Sequence, residues 1–162
     1  MRSLSAVCIA LALGAVTYAK DSGFEGRWQL DTGQSSASAN LPDHLEEQIK
    51  QTGNELVIQS RWREPQDGVT PMVMLGVMSS EIRLKTDGSQ GNDQIGPFQT
   101  MTTSTQEGNK LVTKWQAAIN GKQINGEWTR TLSPDGRTMT LDIQQTPDGG
   151  SAGNAHLVFK RR

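Results

Sequence analysis

The sequence predicts an all-β protein, an antiparallel up-and-down meander that closes into a barrel of about 8–10 strands. Three observations predict this fold class. Turn-forming groups such as Thr52-Gly53-Asn54 and Asn120-Gly121 separate short segments in which apolar and polar residues alternate. Only 34% of the residues are hydrophobic, which suits antiparallel strands that expose one face to water. No strong amphipathic helix pattern intervenes. A two-sheet sandwich is the alternative, but it usually needs longer crossing connections.

The first 19 residues have the three zones of a secretory signal peptide. Arg2 precedes an apolar run over 4–16, and Thr17-Tyr18-Ala19 follows, so cleavage is expected after Ala19. A membrane anchor is the alternative, but about 13 apolar residues are fewer than the roughly 20 that a spanning helix needs. The sequence therefore predicts a secreted or periplasmic protein without integral membrane association and with a single domain over 20–162.

Composition narrows the function classes. Cys8, the only cysteine, lies in the expected leader, so the mature chain has no disulfide, zinc–thiolate site or cysteine nucleophile. Loss of Arg2 reduces the 16 basic side chains to 15 against 17 acidic ones, a net charge of −2 that does not favour nucleic acid as a partner. Motifs of serine hydrolases, phosphate-binding loops and zinc proteases do not occur. We expect a non-enzyme without a cofactor.

The first elements after the leader are a strand and a loop. Phe24, Trp28 and Leu30 share one parity in 24–31, which predicts a strand with an apolar face. Small residues without periodicity fill 32–40, which predicts a flexible loop. A lid over the barrel mouth is the alternative interpretation of that loop.

The segment 43–51 is ambiguous, because apolar residues four apart (Leu41, Leu45 and Ile49) fit either a helix face or strand alternation. The turn at 52–54 that follows it favours a strand. The further predicted strands are 55–63, 72–78, 80–86, 98–106, 110–119, 122–132, 137–146 and 155–161.

Two Asn-Gly pairs lie within 115–128, and only one of them can be a turn. If Asn120-Gly121 is the hairpin turn, Trp115 lies opposite Gly126 and Thr113 lies opposite Trp128. The large indole then meets a residue without a side chain. Asn125-Gly126 is therefore predicted to be a strand segment whose glycine makes room for Trp115.

The next loop extends the same inward face. If the four residues Ser-Pro-Asp-Gly at 133–136 form the loop, Trp128 lies opposite Leu141 and Arg130 lies opposite Met139. The opposite face of these strands is mostly polar and is predicted to face water.

The segment FEGRWQLD resembles the first-strand signature of the lipocalin and fatty-acid-binding (calycin) superfamily, in which a Gly-x-Trp, here Gly26 and Trp28, closes one barrel end. The segments LSPDGRTMTL and HLVFKRR are similar to those of secreted bacterial lipocalin-like proteins. The resemblance implies that a basic residue near the last strand stacks on the first tryptophan. Arg161 is the first candidate and Lys160 the second. The chain lacks the disulfide and the Thr-Asp-Tyr turn of classical members.

The resemblance also implies a small hydrophobic or amphipathic ligand inside the barrel. Arg130 is an inward cation able to hold a carboxylate or another anionic head. Alternatively, the aromatic side chains simply fill a small barrel and Arg130 stacks on a tryptophan near the rim. The candidate apolar lining residues are Trp62, Trp115, Trp128, Met139 and Leu141.

Other candidate sites are weaker. Met72, Met74 and Met78 have thioether sulfurs, the soft ligands that Cu(I) prefers. Methionine is also an ordinary core residue, so a packing role is favoured over a copper site. The acidic stretch 43–47 has carboxylates and a histidine, although a solvated polar segment explains it better. No metal site is therefore predicted.

Two further expectations concern whether a side chain faces the inside or the outside of the barrel. Asp31 and Glu47 follow the inward parity, so a pair of carboxylates inside the barrel stays open without a defined separation. His156 alternates with apolar neighbours and is expected to face outward. The rival function is a filled barrel that acts through its surface, as an envelope interaction module or an enzyme inhibitor.

Overall fold

The computed structural model describes residues 23–63, 76–119, 121–147 and 153–162, and within these ranges it contains eleven strands and no helix. No helix of this part of the chain has the length and hydropathy to cross a membrane. The expected signal peptide and its cleavage site lie outside the described residues. The strands are β1 (Gly26–Leu30), β2 (Ser36–Ala37), β3 (Leu45–Thr52), β4 (Glu55–Trp62), β5 (Glu81–Lys85), β6 (Asp87–Ile95), β7 (Phe98–Glu107), β8 (Lys110–Ile119), β9 (Lys122–Leu132), β10 (Thr138–Pro147) and β11 (Gly153–Arg161).

All strands belong to one antiparallel sheet. Ten of them follow the order β5-β4-β3-β1-β11-β10-β9-β8-β7-β6, and β2 pairs with β11 beside this path. Most neighbours in the sheet are also neighbours in the chain, and the first and last long strands meet where β1 pairs with β11. The result is a nearly closed up-and-down barrel, which confirms the predicted fold class.

The barrel comes together at β5 and β6, the two edge strands of the sheet. Thr86 separates them in the chain, and its amide donates to Asn54 O at 2.7 Å. Three residues before Thr86, the amide of Arg83 on β5 donates to Asp93 Oδ2 on β6 at 2.5 Å. The first bond ties the corner to the β3–β4 turn, and the second joins β5 to β6 where a backbone ladder would otherwise run.

The predicted register of the β8–β9 hairpin is confirmed. Trp115 lies opposite Gly126, and Thr113 lies opposite Trp128. Gly121 has a φ of +75°, the left-handed conformation that a two-residue turn of this type requires. Gly126 lies within β9, as expected for a strand glycine.

The predicted register between β9 and β10 is wrong by two residues. Trp128 lies opposite Ile143, and Arg130 lies opposite Leu141 instead of Met139. A shift by two leaves each side chain on its predicted face, since strand side chains alternate with a period of two.

The loop chemistry explains this shift. The amide of Ser133 donates to Thr138 O, and the amide of Thr138 donates to Ser133 Oγ, both at 2.9 Å. Ser133 and Thr138 therefore close the hairpin, and 134–137 form its loop. The Asp135 carboxylate accepts hydrogen bonds from the Ser133 hydroxyl and the Arg137 amide, and these bonds lower the Asp135 pKa below its ordinary value.

Other elements also differ from the expectations. The strand β3, Leu45–Thr52, confirms the strand interpretation of 43–51, whereas β2 lies inside the predicted flexible loop. Residues 76–78 are not a strand, and 72–75 lie outside the described residues. The strand β6 was missed because its sequence, DGSQGNDQI, is polar and rich in turn-forming residues.

The two barrel ends differ in the chain segments they carry. At the end called here the Trp28 end lie Trp28 and the turns at Gly53 and Gly108. At the opposite end, the loop end, lie the connections from β1 to β3 and from β4 to β5. The core fills the space between these ends with the inward side chains of the strands.

Candidate functional site inside the barrel

Two tryptophans form the aromatic centre of the interior. Trp115 on β8 and Trp128 on β9 lie with ring centroids 5.6 Å apart and planes tilted by 35°. This separation is within the range of favourable aromatic pairs. A Cβ built on Gly126 would clash with the Trp115 ring, so the glycine allows the indole to lie flat against β9. Both tryptophans are buried.

The chain itself covers this tryptophan pair from the loop end. Gly76, Val77, Met78 and Ser79 are all buried although they form no strand. A Cβ built on Gly76 would clash with the Trp128 ring, so the backbone of this segment rests against the indole. We call 76–79 the inner segment. The interior beside Trp128 is thus occupied by protein.

Below the tryptophans, a buried ion pair crosses the interior. Arg130 Nη2 on β9 donates to Glu47 Oε1 on β3 at 3.0 Å. The two side chains are 2% and 0% exposed to solvent. Their strands are separated by three others in the sheet, so the pair spans the barrel. Arg130 points inward, as predicted from parity. The Glu47 carboxylate already neutralises its charge.

Polar atoms around this pair lack partners among the described residues. Glu47 Oε2, Arg130 Nε and Ser60 Oγ are buried without a hydrogen bond. Trp115 Nε1 also lacks one, but it lies against Gly126, four residues along β9 from Arg130. Ser60 lies directly opposite Glu47 in the β3–β4 register, which places its hydroxyl beside the carboxylate. An unsatisfied buried polar atom costs about 1–3 kcal/mol, and such atoms are uncommon in natural proteins. The centre of the barrel therefore retains free hydrogen-bonding capacity.

One part of the inner wall is lined with hydroxyl groups. Thr100, Thr102 and Ser104 on β7 are buried and face inward, and Ser104 Oγ lies 2.9 Å from Thr113 Oγ1. The strands on the other side supply aliphatic side chains to the same interior. The inner wall is thus amphipathic, with aromatic, aliphatic, hydroxyl and charged side chains facing the interior.

Two other predicted lining residues, Trp62 and Met139, lie towards opposite ends of the barrel. Trp62 is half-buried at the loop end, where it lies opposite Leu45 and packs against the core. Met139 is fully buried beside Phe159 and opposite Leu132, towards the Trp28 end. Trp62 is therefore near the loop end, and Met139 lies on the Trp28 side of the ion pair.

Arg161 closes the Trp28 end. Its guanidinium carbon lies 4.3 Å from the centroid of the Trp28 ring. Its nitrogens donate to three carbonyl oxygens, those of Gly136 at 2.7 Å, Glu25 at 2.6 Å and Gly23 at 3.0 Å. Burial lowers the pKa of Arg161 below its ordinary value. One guanidinium thereby connects the last strand, the β9–β10 loop and the segment before β1.

Gly26 and Trp28 complete this closure. A Cβ on Gly26 would lie 2.6 Å from Arg161 Nη1, and the φ of Gly26 is +145°. Trp28 Nε1 donates to Phe24 O at 2.9 Å, which fixes the indole beneath the guanidinium. Lys160 is on the outer face and donates to Gln34 Oε1 at 3.3 Å.

The weaker sequence candidates do not assemble. Met78 is buried in the core, while Met72 and Met74 lie outside the described residues. His44 Nε2 lies 3.6 Å from Glu46 Oε1 on the surface, and Glu47 points inward from the same strand. Within the described ranges, no group of three metal-ligating side chains occurs. Asp31 is half-buried at the end of β1 and accepts from the Gly33 amide, so it does not pair with Glu47.

His156 is exposed, as expected, and its Nδ1 lies 2.6 Å from Asp142 Oδ1. The outer surface carries several depressions, among them four that are lined by described residues. Three lie on the outer wall, and the largest, about 1040 Å³, lies at the Trp28 end between 51–53, 106–109 and 132–134. The barrel wall separates the first three from the inward polar centre.

Solved structures share this architecture. A secretory abundant heat soluble protein from Ramazzottius varieornatus matches with a TM-score of 0.54 at 13% identity, covering 86% of this chain and 95% of that one. Fatty-acid-binding protein 1 of Echinococcus granulosus matches with 0.52 at 13% identity, covering 85% and 96%. The zebrafish ileal bile acid-binding protein, complexed with cholic acid, matches with 0.51 at 15% identity, covering 86% and 98%. The chain has a calycin-like barrel fold. No protein-family model and no curated protein matches its sequence.

In this calycin-like barrel, sequence reasoning missed the partner of Arg130. Glu47 was placed inward by parity, but it was considered with Asp31 and not with the arginine. The available signal was the opposite charge of Glu47 and Arg130, both with inward parity, because buried charges need partners. The hydroxyl wall of β7 was also missed, although Thr100, Thr102 and Ser104 alternate along the strand.

Proposed function

We propose that this protein binds a small hydrophobic or amphipathic molecule inside the barrel. The observation that carries the proposal is the tilted Trp115–Trp128 pair in the same interior as a buried polar centre with unsatisfied hydrogen-bonding atoms. Ligand sites are typically apolar enclosures with a few convergent polar groups. The fold supports the same function, because structures of similar architecture include fatty-acid- and bile-acid-binding proteins.

The proposed ligand enters from the loop end. The order of groups along the barrel is the inner segment, then Trp115 and Trp128, then Arg130 with Glu47. An apolar body would contact the tryptophans, and a polar head would reach the ion pair. Because 76–79 rest against Trp128, binding requires this segment to move away from the ring. Ligand entry is therefore expected to change the tryptophan emission of the protein.

We also propose that the protein acts outside the cytoplasm, as a non-enzyme that recognises small molecules. Residues 1–19 would be a signal peptide that is removed after Ala19. The rival surface module needs an exposed apolar patch. Within the described ranges, the exposed large hydrophobic side chain is Met101, at 42% exposure, so no described surface feature favours the rival.

Ligand titration of the mature protein tests the proposed function. We expect long-chain lipids or Nile red to shift or quench tryptophan emission, with saturation at one site. Trp115→Ala is expected to weaken binding by about tenfold or more, because the indole supplies a large part of the apolar contact. Trp115→Phe, which conserves more packing, should weaken it less. The measurement is fluorescence titration, with circular dichroism to verify the fold of each variant.

The matched control is Gln116→Ala, which changes the outward neighbour of Trp115 on the same strand and should leave affinity unchanged. Native mass spectrometry of protein purified from its own host identifies any co-purified molecule. Unchanged emission and no dye uptake across a broad panel of fatty acids, amides, alcohols and bile acids would contradict the proposed function.

A further inference from the structure

The ion pair inside the barrel indicates which ligand head group the site selects. Arg130 Nη2 and Glu47 Oε1 are 3.0 Å apart, and both side chains are almost completely excluded from solvent. The pair contributes one positive and one negative charge to the same enclosed centre. The net charge offered to a ligand there is therefore zero.

The unsatisfied atoms of this centre include both donors and acceptors. Arg130 Nε carries a hydrogen to donate, whereas Glu47 Oε2 accepts, and both atoms are buried without partners among the described residues. The Ser60 hydroxyl, opposite Glu47 in the register, can do either. A head group that both donates and accepts hydrogen bonds matches this set.

An anionic head group does not match it. A carboxylate would have to share Arg130 with Glu47, which places two negative charges around one cation in a low-dielectric interior. If it displaced Glu47, it would leave that carboxylate buried and uncompensated, which is strongly unfavourable. An uncharged head group adds no charge and leaves the ion pair intact.

We propose that the barrel selects ligands with an uncharged polar head that donates and accepts hydrogen bonds, such as a primary amide, on a hydrocarbon body. This inference rests on the proposed function. The amide NH₂ would donate to Glu47 Oε2, and the amide carbonyl would accept from Arg130 Nε. Arg130, which the sequence alone offers as an anion-binding residue, serves instead as one half of a neutral recognition pair.

Chain-matched ligands test the selectivity of the wild-type protein. Oleamide and oleate share one hydrocarbon chain and differ in the charge of the head. We expect oleamide to displace Nile red with an affinity about tenfold or more above that of oleate at neutral pH. Oleate binding as tightly as oleamide, or more tightly, would overturn the proposal. If neither ligand nor any other lipid binds, the proposed function itself fails.

Glu47→Gln tests the physical cause. The substitution removes the negative charge and leaves Arg130 as an uncompensated cation, so oleate should gain about tenfold or more relative to oleamide. Glu46→Gln, on the outer face of the same strand, is the matched control and should leave the preference unchanged. An unchanged preference in a folded Glu47→Gln variant would show that the ion pair is purely structural. Should that variant fail to fold, the wild-type comparison still decides the proposal.

Discussion

At the scale of single residues, Gly126 controls the packing of the two tryptophans. It lies opposite Trp115 in the β8–β9 hairpin, and a Cβ at this position would clash with the indole ring. Its backbone is not in the left-handed region, so its requirement for glycine is steric. The same residue determines how closely Trp115 approaches Trp128, which couples hairpin packing to the candidate ligand site.

Gly126→Ala is expected to destabilise the protein by about 1–3 kcal/mol, because the new methyl group overpacks the core against Trp115. In a Trp115→Ala background, Gly126→Ala should leave the free energy of unfolding almost unchanged, because the ring that the new methyl group would meet is absent. The free energies of unfolding come from urea denaturation of the four proteins in this double-mutant cycle.

The matched control for this cycle is Gly23→Ala. At Gly23 the nearest atom to a new Cβ is Gln51 Oε1 at 3.7 Å, an ordinary contact, and we expect a change within about 0.5 kcal/mol. If Gly126→Ala lowers the free energy of unfolding equally in the wild-type and Trp115→Ala backgrounds, the clash with Trp115 is not the cause of the destabilisation.

At the scale of elements, the corner between β5 and β6 holds the seam of the barrel. Asp87, the first residue of β6, accepts hydrogen bonds from the Ser89 hydroxyl at 2.6 Å, the Ser89 amide at 2.9 Å and Asn54 Nδ2 at 2.7 Å. Asn54 belongs to the β3–β4 turn. One exposed carboxylate therefore links the start of β6 to a neighbouring hairpin.

These hydrogen bonds, first from the Ser89 hydroxyl and then from the Ser89 amide and Asn54, lower the pKa of Asp87 from 3.8 to about 2. The folded state thus holds the ionised form more strongly than the unfolded state does. The contribution of Asp87 to stability is complete above its unfolded pKa and is lost as the pH falls through about 2.

Asp87→Asn is expected to lower the melting temperature at neutral pH, because an amide is a weaker acceptor than a carboxylate. The difference from wild type should shrink below the unfolded pKa and disappear near pH 2. Ser89→Ala, which removes the first of the three donors, should show a smaller effect with the same pH dependence. Thermal melts across this pH range test the expectation, and a difference independent of pH would contradict it.

At the scale of the whole molecule, the barrel is organised around its own chain ends. β1 and β11 pair in the middle of the sheet order, and Arg161 joins both ends of the described domain over Trp28. The opposite end is covered by the inner segment. The candidate site lies between these two closures, which explains how a polar centre stays enclosed in a small protein.

We expect the chain lacking 1–19 to fold as an independent domain, because the described strands and both closures lie within 23–162. When the full-length chain is expressed in a secreting host, intact-mass measurement of the exported protein should give Lys20 as its first residue. Calorimetry should give the same melting temperature for the exported and the truncated proteins. Retention of 1–19, or an unfolded truncated chain, would contradict this prediction.

Most of the fold was predictable because its signals are local. Thr113, Trp115 and Ala117 alternate with polar residues along β8, which assigns them to the inner face. The Asn120-Gly121 turn then sets the register of the β8–β9 hairpin. The register after 132 was not predictable from turn composition alone, because the hydroxyl of Ser133 selects which residues close the loop. The strand β6 escaped detection because a polar edge strand has no hydrophobic pattern.

The sequence by itself determined the fold class, the turn at Gly121 and the inward direction of Trp115, Arg130 and Glu47. Side-chain alternation has a period of two, so it assigns a face to every strand residue without information from the rest of the chain. The tertiary structure alone decided that Arg130 meets Glu47, 83 residues away, and that the inner segment covers Trp128. Such contacts depend on strand order and barrel closure, which bring opposite walls together and which no local pattern encodes.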